Sequence, residues 1–248
     1  MKYTYKEILN SLPVKKNSNS SWWVKLWVRK VSFLFTFLFI NGGFSPNGVS
    51  IFSIFVALFS FICFAVPREW TLIVAIICIN FWLILDCVDG NIARCKRQKT
   101  IYGEFVDDIG GYYVVAFVYL AISIRAYYEN RMLLNNSHII IIVGAISCIS
   151  DILARLINKD YGNYSMKRVD YIPIDYTNES KKSISYIRRR IGKEIGISGA
   201  FMPLTILCGI FSLYDIMTLF YCIFNVSALI STTMIYIYKA DKYDKEHN

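Results

Sequence analysis

The stretch LILDCVDGNIARCKRQKTIYGEFVDDIGGYYV, residues 83–114, sets Asp86, Asp89, Asp107 and Asp108 between two strongly apolar segments. An ionised carboxylate in hydrocarbon costs several kcal/mol unless a metal, a partner or water receives it. The charges therefore mark a working site at the edge of a membrane. On a helix advancing about 100° per residue, Asp86, Asp89, Gly90 and Ala93 fall within about 100° of arc. One stripe thus presents two carboxylates and then two positions almost without side chain. Gly103 and Asp107 share a face of the following helix, and Gly111 continues that face one turn deeper.

Composition supports the membrane setting. Of 248 residues 55% are apolar, 16% aromatic and only 18% charged, with a mean hydropathy of +0.41, a balance foreign to soluble domains. Six apolar runs are long enough for the roughly 20 helical residues that cross a bilayer. They lie near 47–66, 71–93, 104–125, 138–157, 197–213 and 215–238, the fifth being the shortest. Before them SWWVKLWVRKVSFLFTFLFI (21–40) mixes Trp22, Trp23 and Trp27 with Lys25, Arg29 and Lys30. That pattern predicts an amphipathic helix in the headgroup plane, its tryptophans anchoring at the interface. The fold class is an all-α integral membrane protein, six transmembrane helices preceded by an interfacial amphipathic helix. The chain divides into an N-terminal region (1–46), a six-span domain (47–238) with a polar insertion near 158–196, and a tail (239–248). No cleavable signal is apparent, and no internal repeat.

Charge bias orients the spans. The N-terminal region, the 94–102 turn, the 155–196 segment and the tail hold 24 of the 27 Lys and Arg residues, against Arg68, Arg125 and Arg131 on the other side. The basic loops and both termini are expected in the cytoplasm. The net charge of +9 then belongs to topology and anionic headgroups rather than to nucleic acid. Seven cysteines form no CxxC pair and read as small hydrophobes. With His138 and His247 as the only histidines, a histidine metal site or triad has too few members.

In this topology the second span ends, and the third begins, at the basic face, so the two acidic segments meet at one depth. Carboxylates at i and i+3 facing a third from a neighbouring helix make an all-oxygen site suited to Mg²⁺ or Mn²⁺. Gly90, Ala93 and Gly103 leave room for a flat ligand against the backbone, and Arg94 can neutralise phosphate. Such a site suits a diphosphate whose bond is to be broken. Intramembrane acids also serve proton relays and cation pathways in transporters, or end a helix as simple charges.

The residues DCVDGNIARCKRQKTIYGEFVD resemble the signature of the CDP-alcohol phosphotransferase (phosphatidyltransferase) family, D-x2-D-G-x2-A-R-x8-G-x3-D-x3-D. Asp86, Asp89, Gly90, Ala93, Arg94, Gly103 and Asp107 match it in type and spacing. FSPNGVS (44–50) also resembles the Pro-Asn start of that family's first span, although a Ser or Asn cap explains it equally. The resemblance implies transfer of a substituted phosphoryl group from a CDP-linked donor to an acceptor hydroxyl, with release of CMP, at a two-metal site on the cytoplasmic side of a homodimer. Asp86, Asp89 and Asp107 would be metal ligands, and Gly90, Ala93, Arg94 and Gly103 would receive the cytidine diphosphate. The family's last aspartate, metal ligand and general base, is Gly111 here. Asp108, one turn away and about 60° around the helix, is the expected substitute as base and ligand beside Asp107. An acceptor that is already ionised would need no base, and a protein that binds a CDP-lipid without turning it over would need none either.

Other polar residues carry weaker expectations. Asp151 and Arg155 stand at i, i+4 and read as a helix pair. Arg155 with one of Arg188, Arg189 or Arg190 could instead line a pocket for an anionic acceptor. Asn80 reads as an interhelical hydrogen bond.

Overall fold

A computed structural model describes residues 3–98, 100–129, 138–166 and 184–247. All of the regular structure in them is helical. Two short helices, α1 (Tyr5–Asn10) and α2 (Val14–Ser18), precede a π-helical turn (Val24–Val28) that runs into α3 (Arg29–Asn41). Then come α4 (Pro46–Ala65), α5 (Glu69–Cys95), α6 (Ile101–Glu129), α7 (Ile139–Met166), α8 (Ile184–Ile195), α9 (Met202–Phe211) and α10 (Tyr214–His247). Six helical segments among the described residues are long and apolar enough to cross a membrane, α8 and α9 forming one of them. The protein is an all-α, multi-pass integral membrane protein.

Burial runs in the sense expected of a bilayer solvent. Phe55, Ile62, Ile73, Ile77, Ile210 and Ile223 point outward, each more than half exposed, while Ser50, Ser53, Ser60, Ser123, Ser147, Thr205, Thr218 and Asn225 are buried. Lipid tails accept the apolar faces, so small and polar side chains are left to join the helices. Ser60 Oγ donates to the Ala75 carbonyl across α4 and α5 at 2.8 Å. Asn225 on α10 donates to Ser147 Oγ on α7 at 2.8 Å. A Cβ at Gly144 would overlap Ser123 Oγ, so α7 crosses α6 at backbone range.

Local chemistry sets where α4, α5 and α6 begin and end. Ser45 Oγ accepts from Gly48 N at 3.0 Å and Pro46 opens α4, an N-cap followed by the residue whose missing N–H costs nothing there. At the far end Arg125 of α6, buried, donates to the Val66 and Arg68 carbonyls and pairs with Glu69 at 3.0 Å and Glu129 at 2.8 Å. This ties the α4–α5 turn to α6. At the basic end α5 closes with Arg97 in the left-handed region (φ 51°) and Gln98 N donating to the Ala93 carbonyl at 2.9 Å, a Schellman-type stop. Thr100 Oγ1 then caps α6 through Gly103 N.

Three expectations change. Trp23 and Trp27 are half-buried against the hydrophobic core, and only Trp22 is exposed, because the π-helical turn that carries Trp27 meets α5. Asn80 does not bridge helices: its Nδ2 donates to the Ile76 carbonyl of its own helix at 3.0 Å, and its buried Oδ1 has no partner. The helices α7 and α10 run past the expected ends of their spans, to Met166 and His247. The fifth span starts as the basic amphipathic α8 and breaks at Gly199 (φ −107°, ψ −117°), where a Cβ would overlap the Glu194 carbonyl oxygen. All seven cysteines are free thiols.

Candidate active site

The tight α5–α6 turn brings Asp86 and Asp107 face to face. Together with Ser50, Ser53, Trp82 and Gly111 they line a narrow cleft. Trp82 stands one helical turn before Asp86 and Ser50 one turn after Pro46, so both share faces with signature residues. Neither stood out as a site residue in an apolar run. Asp89, buried, accepts from Ser50 Oγ at 2.6 Å. A serine inside an otherwise apolar helix was the available signal.

Glycines shape the rest. A Cβ on Gly103 would lie 2.9 Å from Asn47 Oδ1, so the glycine lets the start of α4 approach the start of α6. The Pro-Asn pair therefore sits at the site, while the cap itself is Ser45. Gly90 is bare beneath two cations: a Cβ there would meet Arg94 Nη1 at 3.2 Å and Lys16 Nζ at 3.6 Å. Ala93, one turn further, keeps the stripe shallow. Around Gly111 nothing lies within 4 Å of a built Cβ, so there is open space at that position.

Asn91, fully buried, positions Arg94. Its Nδ2 donates to Thr36 Oγ1 at 3.0 Å and to Ser32 Oγ at 3.3 Å on α3, and its Oδ1 accepts from Arg94 Nη2. Asn91 falls on a free position of the motif, so only the packing of α3 reveals its part. Asp108 is turned elsewhere: its Oδ2 pairs with Lys159 Nζ of α7 at 3.3 Å, with the Asp108 side chain 59% exposed. Asp151 and Arg155 form the i, i+4 pair at 2.9 Å, joined by the Tyr119 hydroxyl. Arg188 donates to Thr232 and Arg190 pairs with Glu194.

Two carboxylates forced together repel unless a cation or a proton lies between them, so Asp86 and Asp107 fit a divalent ion in donor chemistry. Convergence of the whole acidic set is another matter. Among the described residues no group of three or more His, Cys, Asp and Glu is arranged as a metal site. Asp89 is held by Ser50 and Asp108 by Lys159.

No curated protein matches the chain at a significant level. The family model for CDP-alcohol phosphatidyltransferases matches residues 44–178, a span that holds α4 to α7, the Asp86–Asp107 cleft and the bare stripe under Arg94. Fold, site and match agree: the chain belongs to the CDP-alcohol phosphatidyltransferase family, transferases that take their phosphatidyl group from a CDP-linked alcohol.

Proposed function

We propose that this protein transfers a substituted phosphate group from a CDP-linked donor to an acceptor alcohol or an anionic acceptor, releasing CMP, at the cytoplasmic face of a membrane and as a homodimer. Phospholipid or glycoconjugate synthesis is the setting that such a product suits. The observation that carries the reading is the cleft lined by Asp86 and Asp107, Asp86 standing on the helix that also carries Gly90 with the Arg94 guanidinium over it.

The donor's cytidine diphosphate lies along Gly90, Ala93 and Gly103, with the Arg94 guanidinium on phosphate oxygens. The acceptor oxygen attacks the phosphorus nearer the donor alcohol. One P–O bond forms, the P–O bond to CMP breaks, and its electron pair leaves on the CMP phosphate. A hydroxyl acceptor gives its proton to a carboxylate, for which Asp107 is placed in the cleft. Asp108 reaches it only by leaving Lys159, an exposed pair worth at most about 1 kcal/mol. Mg²⁺ or Mn²⁺ held by Asp86 and Asp107, with Asp89 and Asp108 as further ligands, would polarise the phosphoryl oxygens and offset charge on the leaving phosphate. An acceptor that is already anionic gives up no proton, and Gly111 then leaves it room free of a repelling carboxylate.

A second reading, a CDP-lipid-binding protein without turnover, is favoured by one observation, the Asp108–Lys159 pair beside an open Gly111. The test is CMP release by the purified protein with Mg²⁺ or Mn²⁺ across a panel of CDP-linked donors. Release that EDTA abolishes is expected. Metal-dependent nucleotide binding without release from any donor would establish the second reading. With the family shown, an ion-coupled transporter has lost its ground.

A further inference from the structure

After Arg94, the side chain that comes closest to a Cβ built on Gly90 from beyond its chain neighbours is Lys16, although it lies 74 positions away in sequence and outside the family match, which begins at residue 44. Its strongest charged neighbours there are cations, with the Asp86 carboxylate acting more weakly in the opposite sense. The Arg94 and Arg29 charges both act on the Lys16 ammonium, and Arg29 acts on Arg94 in turn. Desolvation first, then these two guanidiniums, lower the Lys16 pKa from its ordinary value.

The arrangement is built. Lys16 is carried on α2, which is pinned from both sides. Ile8 of α1 is fully buried, and Tyr3 exchanges two hydrogen bonds with Asn41. After α2, Ser21 Oγ donates to the Ser198 carbonyl, Trp22 N donates to Glu194, and Lys193 donates to the Asn19 carbonyl at 2.6 Å. Arg29 is 7% exposed, its Nη2 donates to Ser20 Oγ at 2.9 Å, and its Nε is buried with no partner. Arg94 Nε is likewise buried and unpartnered. Among the described residues no carboxylate forms an ion pair with any of the three.

Three cations gathered beside Gly90, offset only in part by the Asp86 and Asp89 charges and with two buried Nε–H donors that find no partner among the described residues, call for an anion that completes them. We infer that Lys16 and Arg29 of the N-terminal region join Arg94 in a cradle for the diphosphate of the CDP-linked donor, so that the segment before the family domain is part of the donor site. Lys16 reaches in from the surface as a mobile point charge, whereas Arg29 is fixed from behind. The inference rests on the proposed function and extends its donor site.

Calorimetry tests it on the full chain in neutral detergent with Mg²⁺, using CDP, CMP and cytidine. Lys16 is exposed and, among the described residues, its ammonium makes no hydrogen bond or ion pair, so Lys16→Gln is expected to fold normally. It should weaken CDP binding about tenfold, as loss of one charge-assisted contact does. CMP should weaken less, and Lys16→Arg should restore CDP binding. Unchanged CDP affinity in Lys16→Gln, while Asp86→Asn loses it, would overturn the cradle and leave the proposed function standing. Unchanged affinity in Asp86→Asn as well would overturn both. A loss seen only in nanodiscs containing phosphatidylglycerol, and not in detergent, would assign the cations to an anionic lipid headgroup and overturn the donor cradle.

Discussion

Replacing Asp108 by Asn, alone and together with Gly111→Asp, decides whether Asp108 serves the proposed reaction as its base. Asp108→Asn removes a 3.3 Å pair with Lys159 whose side chains are 59% and 49% exposed. The pair itself contributes at most about 1 kcal/mol, so a purely structural effect on turnover stays within about fivefold. A general base contributes roughly 10²–10⁴-fold. The two roles are thus separated by more than a decade. If Asp108 swings into the cleft, turnover in Asp108→Asn falls by at least about 100-fold. Gly111→Asp should then rescue it, because nothing lies within 4 Å of the new Cβ and Gly and Asp differ by only a few tenths of a kcal/mol in helix propensity. Lys159→Met should leave turnover unchanged or raise it up to about fivefold by releasing Asp108. The assay is CMP release under saturating donor and acceptor. Full activity in Asp108→Asn refutes the substitution and points to an anionic acceptor, in which case Gly111→Asp raises the acceptor KM by repulsion.

The remaining predictions concern the donor site and the fold. Asp86→Asn should lower CDP affinity at least about tenfold and remove its sensitivity to EDTA in calorimetry, and an unchanged isotherm would remove the metal reading. Gly90→Leu should abolish donor binding with the thermal midpoint intact. The new side chain would meet only the mobile ends of Arg94 and Lys16 and gains helix propensity, so wild-type affinity would place the donor elsewhere. Arg125→Met should cost about 3–5 kcal/mol of stability in chemical unfolding, because Glu129 and the Val66 and Arg68 carbonyls lose a buried donor. A change below about 1 kcal/mol would show that the α4–α5 turn needs no clamp.

How much of this was legible in the residues varies with the range of the interaction that decides it. Membrane spans follow from length and polarity within one segment, so the six runs were readable one by one. The order Asp86, Asp89, Gly90, Ala93 along one stripe follows from helical periodicity alone, as does the spacing that marks the family. Periodicity says nothing about how one helix is rotated against the next. That rotation comes from packing at small residues, such as Gly110 against Ile54 and Gly144 against Ser123. It sends Asp107 into the cleft with Asp86, gives Asp89 to Ser50, and turns Asp108 out to Lys159. Asn80 was misread for the same reason, since an amide in an apolar helix can bond its own backbone as readily as a neighbour. That Lys16 and Arg29 stand beside Gly90 and Arg94 was not legible beforehand, because α1 to α3 look like a separate surface element. Only their tertiary docking on α5 and α8 carries Lys16 to Gly90, and burial of the α3 face, which no short-range pattern records, is what holds it there.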